Sequence, residues 1–337
     1  MGRRSSRDKR WAQAEFSAAG LGDKRRTARL VELAQRLSER PEMSLPQALG
    51  YTGALKAAYR FFDNADIAQE SVIAPHVLSS IGRMLFRPVV LAVQDTSYLD
   101  YATHPATEAL GPLSGEGGYG MIMHTTFAVT PERLPLGVLS LRLWARDAAK
   151  PKQRESRRTR AIKDKESHKW IESVQAVAAL KERLPGTRLV SVADRESDVF
   201  EFFLEAQKLG VDVLARAAYD RNVDGEQAQA FATLASAPVL ARKYLALPAT
   251  PKRKARTAKL EIRACPLVLH SPRNGTARRL LPLALWGVWA YEPEAPKGEE
   301  PLDWKLLSSC RSLAPKTRSS VWNGMPRAGA SSSGTRS

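Results

Sequence analysis

Two apolar runs far apart in the chain each stop at an aspartate, and this pairing constrains the fold more than any other feature. Pro88-Val-Val-Leu-Ala-Val-Gln94 leads into Asp95, and Thr187-Arg-Leu-Val-Ser-Val-Ala193 leads into Asp194. Short runs rich in β-branched residues read as buried strands. Aspartates so distant in sequence meet only if the two strands are neighbours in one sheet, with both carboxylates at its edge. Hard oxygen ligands without histidine or cysteine suit Mg²⁺ or Mn²⁺. Two such ions can activate water and stabilise the leaving oxygen in phosphodiester cleavage. Either aspartate can instead cap a following helix, an alternative most open for Asp194 ahead of Glu196-Ser-Asp-Val199.

The segments around these strands follow an order. Met121 to Val129 and Leu136 to Leu143 read as two further strands joined by a turn near Pro131-Glu132. A helix is expected over Ser167 to Leu184, a second over Val199 to Leu209, and a fifth strand over Val211 to Arg216. Three strands in a meander, then helix, strand, helix, strand, is the order of a ribonuclease-H-like core, an α/β layer fold. Upstream, Leu30, Leu33, Ala34 and Leu37 keep helical spacing, and Arg25, Arg26 and Arg29 sit at the start of that helix. Met43-Ser-Leu-Pro46 reads as a helix start, and Ala54 to Phe62 as a further helix. Arginines at a helix start can reach phosphates and bases, so a small helical DNA-binding domain is expected over 1–70. The mixed sheet core should occupy 85–218. A β-rich insertion with basic loops and the last core strand should fill 219–308, leaving 309–337 as a disordered tail.

A formal charge of +17 points to a polyanion as partner. The basic residues come in bursts, from Arg3 to Arg10, Lys24 to Arg29, Lys152 to Arg160 and Lys252 to Arg256, which favours nucleic acid over an evenly charged surface. Cys265 and Cys310 form no CxxC or Cys/His pattern, so neither a zinc module nor a disulfide framework is indicated. No apolar stretch follows the charges of the N-terminal segment, and no run approaches the roughly 18 residues of a membrane span. A bacterial cytoplasmic, nucleoid-associated protein is expected.

The chain resembles the bacterial cut-and-paste DDE transposases of the insertion-sequence-four family, transposon-five type. The resemblance is carried in order by Leu21-Gly-Asp-Lys-Arg-Arg-Thr-Ala-Arg-Leu30, Ala58-Tyr-Arg-Phe61, Val93-Gln-Asp-Thr-Ser97, Asp164-Lys-Glu-Ser-His-Lys-Trp170, Ala193-Asp-Arg-Glu-Ser-Asp198 and Pro296-Lys-Gly-Glu-Glu-Pro-Leu-Asp-Trp304. It implies a ribonuclease-H-like catalytic domain with a β insertion and an N-terminal domain that reads double-stranded transposon ends. It also implies a C-terminal dimerisation region, for which this sequence has no counterpart. On this resemblance Asp95 and Asp194 are catalytic metal ligands in a two-ion Mg²⁺ or Mn²⁺ site. Arg26 and Arg29 match end-contacting positions, and Arg216 matches a basic residue near the DNA. Trp304 matches an aromatic that supports a flipped base, a task that stacking can perform.

The third carboxylate is the missing part. From Trp304 to Ser337 only that first stretch of strand is ordinary, and there is no aspartate or glutamate at all. The family's third ligand lies in Tyr-x2-Arg-x3-Glu-x6-Lys, where this chain has Met325 for the Tyr and Ser332 for the Glu. Glu196 and Asp198 lie too close to Asp194 in sequence to replace a residue delivered from a separate helix. The chain is therefore expected to be a truncated transposase that binds DNA but does not cut it. The alternative is a non-catalytic DNA-binding protein that occupies transposon ends and interferes with an intact transposase. An out-of-frame tail explains the composition. With the frame moved by one base near Ser309-Cys310, the codons of Gly324 to Ser332 can encode Tyr-Ala-Ala-Arg-Trp-Gly-Ile-Glu, which restores the Tyr, Arg and Glu at their spacing.

Overall fold

The computed structural model describes residues 11–104, 106–113, 118–147, 161–251, 253–272 and 280–310. The basic bursts Arg3 to Arg10 and Lys152 to Arg160, the residue Lys252, and the tail from 311 with Met325 and Ser332 lie outside the described residues. The chain divides into two compact units, Met1–Leu85 with Leu136–Ser140, and Phe86–Pro135 with Leu141–Ser337. Among the described residues no helix is long and apolar enough to cross a membrane.

The first unit is helical: α1 (Trp11–Phe16), α2 (Lys24–Glu39), α3 (Leu45–Leu49), α4 (Thr52–Phe62) and α5 (Gln69–Met84). Asp23 caps α2 by accepting from the Arg25 amide at 2.7 Å, satisfying a donor that the helix leaves without a partner. Ser44 and Gln47 form a capping box at α3, which Gly50 closes in the left-handed region at φ 75°. Leu30 and Leu33 of α2 pack with Leu49, Ala54, Ala58 and Phe61 in one core. Helix α5 is absent from the sequence-based outline because Pro75, which reads as a breaker, sits inside it. It belongs with the helical unit, which runs to Leu85. Arg83 of α5 donates to both oxygens of Glu15 at 2.9 and 2.8 Å. His76 reaches Glu15 through Nδ1 at 2.5 Å and accepts from the Val138 amide at 2.8 Å.

The second unit is built on a ten-stranded mixed sheet. The strands are β1 (Val89–Asp100), β2 (Gly111–Pro112), β3 (Tyr119–Val129), β4 (Pro135–Trp144, of which Leu136–Ser140 is counted with the first unit), β5 (Arg188–Ala193), β6 (Asp212–Arg216), β7 (Val239–Leu247), β8 (Arg256–Leu269), β9 (Leu283–Tyr291) and β10 (Asp303–Ser308). The order is β2-β3-β1-β5-β6-β10-β9-β8-β7, with β4 on β3. Strand β1 is antiparallel to β3 and parallel to β5, and β5 is parallel to β6. From β6 onward every pairing is antiparallel. The β-rich stretch after β6 thus extends the same sheet through β10 instead of forming one of its own.

Two boundaries differ from the sequence reading, each for a physical reason. Strand β1 does not stop at Asp95 but runs to Asp100, because β3 continues to pair with it after β5 has ended, from Asp95↔Thr125 to Asp100↔Gly120. Asp95 instead marks where the strand passes from buried to exposed. The helix expected to reach Leu184 is α6 (His168–Ala178) followed by one 3₁₀ turn, Lys181–Arg183. Pro185 biases Leu184 away from helical backbone and ends the segment. The last strand begins at Asp303, and Trp304 lies within it. Two further helices complete the unit, α7 (Phe200–Leu209) and α8 (Ala230–Ser236).

Candidate active site

Side chains alternate across a strand, so the register assigns each residue to a face. Leu91, Val190, Val192, Leu214 and Leu306 form one buried cluster. Asp95, Asp194, Arg216 and Trp304 continue the same alternation on β1, β5, β6 and β10. The β1–β5 pairing reaches Val93↔Val192; two residues further on, Asp95 stands level with Asp194. The β5–β6 pairing reaches Ala193↔Ala215, which brings Arg216 beside Asp194. The apolar cluster fixes the strands, and the polar residues follow where the parallel strands end.

Asp194 opens a 3₁₀ turn, Arg195–Ser197, by accepting from the Glu196 amide at 2.9 Å. The capping role open to it in the sequence is therefore real, and it uses only one carboxylate oxygen. Although the residue as a whole is exposed, loss of water around the carboxyl raises its pKa. The Glu196 amide opposes this, while the charges of Glu196 and Asp95 add to it and Lys169 draws it back. Asp95 is exposed, and among the described residues its side chain makes no hydrogen bond or ion pair. This is a carboxylate pair under mutual repulsion, with oxygen positions left over, as hard divalent cations require. Among the described residues no group of three His, Cys, Asp or Glu side chains is placed to hold a metal.

Cations border the pair. Desolvation lowers the Arg216 pKa, Arg195 lowers it further, and Asp194 and Asp303 pull it up. Lys169, in the first turn of α6, holds Glu196 at 3.1 Å with its side chain almost fully buried. Asp198 is not part of the pair: its side chain is fully buried, accepting from the Ala218 and Tyr219 amides at 2.7 and 3.0 Å and pairing with Arg221 at 2.5 Å. Sequence inspection overlooked Lys169 and Arg221, although the tandem acids at 196 and 198 were a signal that cations must sit nearby. Trp304 is half-buried and packs against Leu247, Ala258 and Leu260. Its ring is thus held by the core at one side of the carboxylate face.

In the first unit, Arg26 pairs with Asp66 at 2.7 Å and donates to the Leu21 carbonyl, while Arg29 pairs with Glu32 at 2.5 Å. Both arginines are part-exposed and preoriented by these partners. A DNA phosphate would have to compete with Asp66 and Glu32 for them.

Behind Asp95, on the opposite face of β1, Thr96 bonds His124 Nδ1 at 2.8 Å. The His124 ring packs edge-on against Trp170 of α6, centroids 4.6 Å apart. Burial, then the charges of Lys169 and Arg142, push the His124 pKa from the ordinary 6.5 down to about 3. The unfolded chain therefore takes up a proton that the folded chain refuses, and stability should fall as pH drops from 6.5 toward 3. Thermal unfolding across that range should show a shallower loss for His124→Gln than for the parent chain. Parallel curves would remove His124 from the account.

A family model described as transposase DNA-binding matches residues 8–67. The match covers α1 to α4 and the turn beyond. The chain thus carries a transposase DNA-binding region, and DNA is the partner this region implies.

Proposed function

We propose that the whole chain is a DDE transposase of the insertion-sequence-four family by descent, which binds transposon ends and does not cleave them. The match of residues 8–67 carries the reading. Its finer part is supported by strand order. The run β4-β3-β1-β5-β6, with β1 antiparallel to β3, β5 parallel to both β1 and β6, α6 before β5 and α7 before β6, is the order expected of the ribonuclease-H-like plan. In that plan Asp95 and Asp194 would hold Mg²⁺ or Mn²⁺, which when bound supplies an activated water and a counter-charge for the leaving oxygen. Arg216, beside Asp194, would contact the scissile backbone, and Trp304 would offer an aromatic face to an unstacked base. In the domain division we favour, the helical unit reads the end, the core strands carry the carboxylates, and β7 to β9 are an insertion that prolongs the sheet.

Cleavage fails on this reading for want of a third carboxylate, since Ser332 stands at the family's glutamate position. A protein that occupies ends and interferes with an intact transposase is the second reading. It is favoured by the engagement of Glu196 with Lys169 and of Asp198 with Arg221, which leaves neither acid free to substitute.

Binding is tested by gel shift on a duplex carrying the cognate end. Replacing Arg26 and Arg29 together by alanine should weaken binding and flatten the dependence on salt by about one unit of log–log slope per lost phosphate contact. Unchanged affinity and slope would remove the start of α2 from recognition.

A further inference from the structure

The sheet face opposite the carboxylates carries, across β7 to β10, a continuous array of rings and cations that the proposed chemistry does not use. Register places Arg242 opposite Glu261, Tyr244 opposite Lys259, Arg263 opposite Trp289 and Glu261 opposite Tyr291. On β10, Lys305 lies opposite Trp289. Trp289 and Tyr291 stack with centroids 4.3 Å apart. The Arg263 guanidinium lies 6.0 Å and 5.5 Å from those ring centroids, and the Lys305 ammonium 4.9 Å from that of Trp289. The inner half of the array is tied down, Arg263 by the Ala235 and Ala237 carbonyls and Lys305 by Asp303. The outer half is more exposed, although Arg242 is paired with Glu261 at 2.9 Å, so a phosphate would have to compete for it. Tyr244 is 74% exposed, the Arg242 side chain is 62% exposed, and Lys259 is exposed.

We infer that this face binds an unpaired DNA strand, with bases stacking on Tyr244 and phosphates meeting Arg242 and Lys259. Four cations against Glu261 and Asp303 give the face a net positive charge, in a chain of formal charge +17. Helix α8 lies over the β9–β10 end, with Phe231 against Lys305, which leaves the β7–β8 end for a strand. An exposed ring beside cations suits single strands, because every base has a face to stack. A duplex keeps its bases covered and gains only the charge.

The full-length chain should bind a fluorescein-labelled oligothymidylate in an anisotropy titration. Tyr244→Ala should weaken that binding by about tenfold, the loss of one stacked base, while Tyr244→Phe should keep it. Arg242→Ala with Lys259→Ala should weaken it and reduce its salt dependence. Binding of the end duplex through the helical unit should be unchanged in all three, and its loss through Arg26→Ala and Arg29→Ala should leave the oligothymidylate bound. These residues are exposed, and equal melting temperatures would show that the variants fold. Failure to bind the oligothymidylate, or equal binding by the Tyr244→Ala chain, overturns the inference without touching duplex recognition. Loss of duplex binding alone would count against the proposed function and leave this face standing.

Discussion

Replacing Asp198 by alanine is expected to destabilise the second unit by about 3–5 kcal/mol, the usual cost of stranding one partner of a buried ion pair. The Asp198 side chain is fully buried and that of Arg221 nearly so. The Asp198 carboxylate also accepts from the Ala218 and Tyr219 amides, so four N–H donors, two of them from Arg221, lose their acceptor at once. These bonds join the turn that follows Asp194 to the chain leaving β6, next to Arg216. The change should therefore loosen both sides of the carboxylate pair as well as lower the melting temperature. Arg221→Met should cost a comparable amount by leaving the carboxylate buried alone. Thermal unfolding of both variants checks this: a loss under about 1 kcal/mol for either, the range of exposed pairs, would show that the network is dispensable.

Much of the second unit was legible because its strands bury both faces and so appear as unbroken apolar runs. Leu91, Val190 and Val192 are all but completely buried, and the runs containing them announced β1 and β5 directly. The end of β1 was not legible. Beyond Asp95 the strand has lost β5 and keeps only β3, and no local pattern reveals which neighbour persists. Helix α5 was hidden by Pro75, whose cost tertiary packing overrides: Ile81 and Met84 are buried in the core, and Arg83 is anchored on Glu15. In the site, the two aspartates stood out because each follows an apolar run. Lys169 was invisible, because a lysine in a charged segment looks solvated until the fold buries it against Glu196. Arg26 and Arg29 were legible as a basic cluster; the pairing of Arg26 with Asp66 was not, since Asp66 comes from a different element, whereas Glu32 is an i,i+3 partner of Arg29 on the same helix.

Cleavage is expected to respond most strongly to the reading frame. On the proposed reading, Ser332 where the family has its glutamate would leave a two-metal site held by Asp95 and Asp194 one carboxylate short. Losing a direct ligand should exceed the roughly 10- to 100-fold typical of mutating outer-shell partners. Moving the frame by one base near codon 310 should restore Tyr-x2-Arg-x3-Glu, and with it end cleavage. An early stop codon in that frame, or no glutamate codon at the position, would end the frameshift account. The account as a whole rests on a chain that holds a transposon end without cutting it. The most direct measurement incubates the purified chain with a labelled end duplex in Mg²⁺ or Mn²⁺ and follows binding and strand scission in the same samples. A retarded, intact duplex is the expected result; scission above background that disappears in Asp95→Ala would contradict it and require a third ligand from elsewhere in this chain.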